Sequence, residues 1–161
     1  MDTSSFFSYP SDSHLAEQEG LLFLREADES DWSTLLSYTT TQRFSAGDQL
    51  ITAGDNDDSL LLIAKGRLEV LIPHGSGQKL KQLTTIQTGS VIGEQSFFDQ
   101  QPRSTHIRAL TDGELYRLSR DSFMVLSAKQ PQLARLLLLD LGKIISLRLR
   151  QTTQFLSQVS Q

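Results

Sequence analysis

The sequence predicts a mainly β domain flanked by helices. Three observations predict it. From Thr40 to Leu118, short runs rich in Leu, Ile, Val and Thr recur with a period of two, and Gly and Asp break them. Helical periodicity precedes this stretch and returns after Ser119. Many short strands at near-regular spacing fit a sandwich or barrel better than a sheet of alternating strands and helices.

Taken in order, residues 1–20 are polar, Ser-rich and broken by Pro10, which predicts a loose tail with a short helix around His14 to Gln18. Asp28 to Tyr38 reads as a helix. Asp28 or Ser30 can cap it, and Trp32, Leu35 and Leu36 form an i, i+3, i+4 stripe. Candidate strands follow at Thr41–Phe44, Gln49–Thr52, Leu60–Ala64, Arg67–Ile72, Lys79–Thr85, Ser104–Ala109 and Glu114–Leu118. The breaks between them, such as Ala46-Gly47-Asp48, Ala53-Gly54-Asp55 and Lys65-Gly66-Arg67, are turn sequences. A helix from Arg120 to Ala128 can be capped by Ser119. Pro131 then suits the first turn of a long final helix, which carries a broad apolar stripe from Leu133 to Leu147. Its turn Leu136 to Leu139 is apolar nearly all round, which suggests contact on two sides.

Composition narrows the function. The chain has 161 residues, enough for one domain over residues 21–161 with its own core. It has no cysteine, so disulfides and thiolate metal sites are excluded and a cytoplasmic location is expected. No apolar run approaches the roughly 18 residues of a membrane span, and the N-terminus does not read as a signal peptide. The net charge of -4 argues against a dedicated nucleic-acid surface. His14, His74 and His106 lie far apart, so no metal set is expected. No nucleophile–base arrangement and no Walker-type loop is recognisable, so neither an enzyme nor a resident cofactor is expected.

The chemistry concentrates in one stretch, Gly93-Glu94-Gln95-Ser96-Phe97-Phe98-Asp99-Gln100-Gln101-Pro102-Arg103-Ser104-Thr105. Gly93 permits close backbone approach, and a short helical turn begins at Glu94 with free N–H groups. Pro102 fixes the chain ahead of Arg103, and the hydroxyls of Ser104 and Thr105 open the next candidate strand. Arg103 beside a helix start and hydroxyls makes a small anion cradle. A carboxylate in such a cradle makes sense if the ligand also offers hydroxyl donors, as a ribose does. Phe97 and Phe98 read as core packing rather than a base-stacking platform. Considered alone, Arg103 would read as a surface ion pair to Asp99 or Glu94.

This ordered set resembles the cyclic nucleotide-binding domain family, which includes the bacterial catabolite activators and the regulatory domains of kinases and ion channels. The resemblance spans about Leu21 to Phe155. It rests on Phe44-Ser45-Ala46-Gly47-Asp48, on Ala53-Gly54-Asp55 followed by Leu60 to Arg67, and on Gly93, Glu94, Pro102 and Arg103 at the family's cassette spacing. It implies an eight-stranded jelly-roll-like β-roll with N-terminal helices, a short cassette helix and a long C-terminal helix over 131–157. It also implies a cyclic AMP or cyclic GMP ligand. Arg103 would pair with the phosphate, Glu94 would accept from the ribose 2′-hydroxyl, and Gly93 would approach the sugar. Ser104 would reach the phosphate, and its hydroxyl also suits a syn purine. Ile92, Gln95, Ser96, Pro102 and Thr105 complete the expected site. The lid of the last helix would fall near Arg148 and Leu149, although Arg148 on its own reads as part of a solvated helix face. Three positions depart from the family's habit: Ile92 where an aromatic is frequent, and Gln95 and Ser96 where small apolar residues are usual. Too few residues follow the last helix for the activators' winged helix-turn-helix, so no direct DNA binding is expected. The implied partners are a second copy through the last helix and an effector protein that the sequence does not name. The alternatives are a scaffold that no longer binds nucleotide and a dimerisation partner of a DNA-binding regulator.

Overall fold

The computed structural model describes residues 22–75 and 78–159. The expected tail over residues 1–20, with its short helix at 14–18, lies outside them. Helix α1 is Glu29–Ser37. Asp28 caps it in a reciprocal box: Asp31 N–H donates to Asp28 Oδ1 at 2.8 Å, and Asp28 N–H donates to Asp31 Oδ2 at 3.2 Å. The strands are β1 Thr40–Phe44, β2 Gln49–Ile51, β3 Leu60–Lys65, β4 Leu68–Pro73, β5 Leu80–Ile86, β6 Val91–Ile92, β7 His106–Ala109 and β8 Gly113–Leu118. Helix α2, Glu94–Asp99, lies between β6 and β7, and α3, Arg120–Lys129, and α4, Pro131–Val159, follow β8.

The strands form two antiparallel four-stranded sheets, in the orders β1-β8-β3-β6 and β2-β7-β4-β5. β3 explains why the domain has two cores. Its run Leu60-Leu61-Leu62-Ile63-Ala64 is buried throughout. Alternate side chains point to opposite faces of a strand. Leu61 and Ile63 therefore join Phe44, Ile51, Leu68, Ile92, Ile107 and Leu115 between the sheets. Leu60, Leu62 and Ala64 face outward into a second cluster with Trp32, Leu35, Phe97, Phe123, Leu126, Leu137 and Leu141. Each such leucine is worth about 1.5–3 kcal/mol of burial, so a strand apolar on both faces welds the roll to its helices. Gly66 makes the β3–β4 turn possible. Its φ is +98°, and a Cβ there would lie 2.8 Å from Asp112 O.

The sequence reading and the structure differ in two places. Ser104 and Thr105 precede β7 rather than opening it. The eighth strand is the two-residue Val91–Ile92, too short to display a period. Of the expected N-terminal helices, α1 lies among the described residues. Ahead of α1 the chain is tied to the last helix: Leu24, at φ +50°, donates its N–H to Asp140 Oδ2 at 2.7 Å.

Candidate functional site

The segment between β6 and β7 is held in place by backbone pairing with the turn after β2. Gly54 N–H donates to Arg103 O, and Arg103 N–H donates to Asp55 O, both at 2.8 Å. That exchange is the structural work of Ala53-Gly54-Asp55, and it fixes Arg103 over the sheet edge. Helix α2 starts from Gly93, whose φ of +85° turns the chain and which has no side chain to cap the first-turn N–H groups. The far end of α2 is bound to α3: Arg120 Nη1 donates to Phe97 O, and Phe97 stacks edge-on against Phe123.

These elements surround a cavity of about 490 Å³, a size that suits a small organic ligand. Ile51, Val70, Ile86, Ile92 and Ile107 give it an apolar wall. Glu94, Gln95, Ser96, Arg103, Ser104 and Thr105 supply polar groups, and Arg148, Gln151, Thr152 and Phe155 close it from α4. Of the residues singled out in the sequence, Ile92, Gly93, Glu94, Gln95, Ser96, Arg103, Ser104, Thr105 and Arg148 line this one cavity, whereas Pro102 is exposed outside it.

Arg103 is only 4% exposed. Its Nη1 donates to Gly93 O at 3.1 Å and its Nη2 to Ser59 O at 2.7 Å. Nη2 also pairs with Asp57 Oδ2 at 3.0 Å. The partner is thus Asp57, not the Asp99 or Glu94 that sequence proximity suggested. Arg103 Nε is buried with no hydrogen-bond partner. An unmade buried donor costs about 1–3 kcal/mol. Arg103 itself lines the cavity.

Glu94 is also buried, and Arg148 Nη1 pairs with its Oε1 at 2.6 Å. Arg148 Nη2 also donates to Val91 O at 2.7 Å. Arg148, its side chain 26% exposed, therefore fastens α4 to the start of α2. Gln95 accepts the Ser104 hydroxyl hydrogen bond at 2.7 Å, so a residue that departs from the family's habit orients one of the hydroxyls of the site.

Asp57 escaped sequence reasoning because it sits in an acidic turn, Asp55-Asn56-Asp57-Asp58, that reads as a loop. Burial alone would raise its carboxyl. Hydrogen bonds from Ser59, Arg117 and Arg103 outweigh that and hold it well below the usual carboxylate range. A group depressed on folding adds stability above its unfolded value and loses it as pH falls through the folded one. Asp57→Asn is therefore expected to be less stable than the parent near neutrality, and the gap should close as pH falls below the ordinary 3.8. Because Asp57 is partly exposed, salt should shrink the gap. Thermal melts across pH check this, and a gap independent of pH would refute it.

The comparisons with known proteins bear on this geometry. A family model described as the cyclic nucleotide-binding domain matches residues 41–130, from β1 through α3. The chain belongs to that family. This cyclic nucleotide-binding domain is 29% identical over 116 residues to the cyclic AMP receptor protein of Thermus thermophilus, a match covering 72% of this chain and 51% of the relative. It is 30% identical over 124 residues to the cAMP-activated global transcriptional regulator Vfr of Pseudomonas aeruginosa, covering 74% of this chain and 56% of Vfr. The chain thus spans about half the length of these relatives. The crystal structure of the Thermus thermophilus catabolite activator protein superposes with a TM-score of 0.75 at 25% identity, over 88% of this chain and 63% of that one. The jelly-roll-like roll with its long final helix is the fold of the superposed part of that activator.

Proposed function

We propose that this cyclic nucleotide-binding domain is a sensor of cyclic AMP, with cyclic GMP as the alternative ligand, and that it signals through α4. The cyclic phosphate takes Arg103, the ribose 2′-hydroxyl donates to Glu94, and the purine lies against the apolar wall under Gln151, Thr152 and Phe155. The names of the two relatives favour cyclic AMP. One observation carries the signalling step: the Glu94 carboxylate that a ribose needs is held by Arg148 of α4. A hydroxyl that donates to Glu94 competes with Arg148, so ligand binding biases the position of the helix. A ligand shifts such an equilibrium only by its difference in affinity for the two states.

The domain acts in this reading as a binding module, not an enzyme. Its output passes to a partner protein, and a second copy joins it through Leu138, Leu139, Leu149 and Leu156, all exposed on α4. One observation favours a second reading, a scaffold without ligand: Arg103 and Glu94 both already have protein partners. Calorimetric titration with cyclic AMP and with cyclic GMP separates the two. Sedimentation and hydrogen exchange over residues 145–158 should accompany it. Binding at micromolar affinity or tighter, faster exchange in that segment on binding, and a dimer mass are expected. No binding at millimolar ligand leaves the scaffold reading, and a monomer mass removes the second copy.

A further inference from the structure

Asp57 Oδ2 holds two guanidinium groups at once. Arg103 Nη2 lies 3.0 Å from it and Arg117 Nη1 lies 2.7 Å from it. Arg117 stands on β8, does not line the cavity, and is 60 residues along the chain from Asp57. A guanidinium grips a phosphate best through two adjacent N–H groups. On Arg103 the edge with a free donor is Nε with Nη2, but Nη2 donates to Ser59 O and is ion-paired with Asp57. A two-pronged grip on an anion therefore draws Nη2 away from Asp57.

We propose that Arg117 is a positioning residue for the anion site: it keeps Asp57 paired when Arg103 turns to the ligand, and so lowers the barrier to that exchange. The inference rests on the proposed nucleotide-binding function. Without Arg117, a carboxylate that stays ionised throughout the physiological range would have Arg103 as its only cationic partner and would hold it more tightly. Asp57 also accepts the Ser59 N–H at 3.0 Å, so the carboxylate itself stays anchored beside Arg103 in either case. The beneficiary is the phosphate site, although Arg117 never touches the ligand.

The test is a double-mutant cycle read by calorimetric titration with cyclic AMP. Arg117→Gln should weaken binding roughly two- to fivefold, the scale of a partly exposed ion pair, and Arg117→Lys should recover most of the loss. In an Asp57→Asn background, Arg117→Gln should change nothing, because the carboxylate through which it acts is gone. The double variant leaves no unpaired carboxylate, so it tests the coupling even if Arg117→Gln folds poorly. A merely structural role for Arg117 would lower melting temperature and leave affinity unmoved. Unchanged affinity in Arg117→Gln, or an equal loss with and without Asp57, overturns the proposal. Absence of cyclic AMP binding by the unaltered chain overturns the binding function on which it rests.

Discussion

Arg103→Ala is expected to weaken cyclic AMP binding by roughly ten- to a hundredfold, the effect of one lost charge-assisted hydrogen-bond partner worth about 1.5–3 kcal/mol. The substitution removes the free Nε donor and the terminal nitrogens together. It leaves Asp57 paired with Arg117, so the fold should survive it. Arg103→Lys should not restore affinity, since a point charge cannot reproduce the two-pronged fork. Titration of both variants checks this. Unchanged affinity in Arg103→Ala would mean that the anion does not sit at Arg103.

Gly93→Ala is expected to damage both stability and ligand binding. Its φ is +85°, a conformation that side chains resist. The added Cβ would collide with Arg103 Nη1 and lie 2.6 Å from Ser59 O. Both neighbours belong to the hydrogen-bonded cluster that positions the guanidinium. Strain of this kind is on the order of 1–3 kcal/mol, and each kcal/mol lowers melting by about 2–4 °C at this size. Binding should fall at least as far as in Arg103→Ala, because Arg103 must move. Melting and titration of the variant read both losses. A variant that melts and binds like the parent would show that the glycine is not required there.

Much of this was legible in the sequence wherever the information is local. Gly66 and the Ala46-Gly47-Asp48 turn mark strand ends because they sit between runs of period two. The Gly93 to Thr105 stretch is readable because a single short segment carries Glu94, Arg103 and Ser104. What stayed hidden is tertiary. Asp57 meets Arg103 and Arg117 only because the turn after β2 is bonded to the loop before β7. An acidic turn and two scattered arginines have many other possible partners. β6 has only two residues, and Val91–Ile92 is fixed by pairing with Leu61 and Leu62, not by any pattern of its own. The broad stripe on α4 was visible, but not the point at which its burial ceases.

That point matters. Leu133, Ala134, Leu137, Leu141 and Ile144 are buried, and Asp140 fastens the helix to the chain ahead of α1. From Ile145 to Gln158 no residue of the helix is buried. α4 is thus clamped over its first half, and its second half, about 20 Å long at ~1.5 Å per residue, lies along the cavity, held there by Arg148. Arg148 sits close to the root of this second half. A small displacement there is magnified in proportion to the length beyond it, so the far end can sweep several times the distance that the Glu94 contact moves. In the proposed signalling step, a large excursion at the tip would need no rearrangement of the sheets.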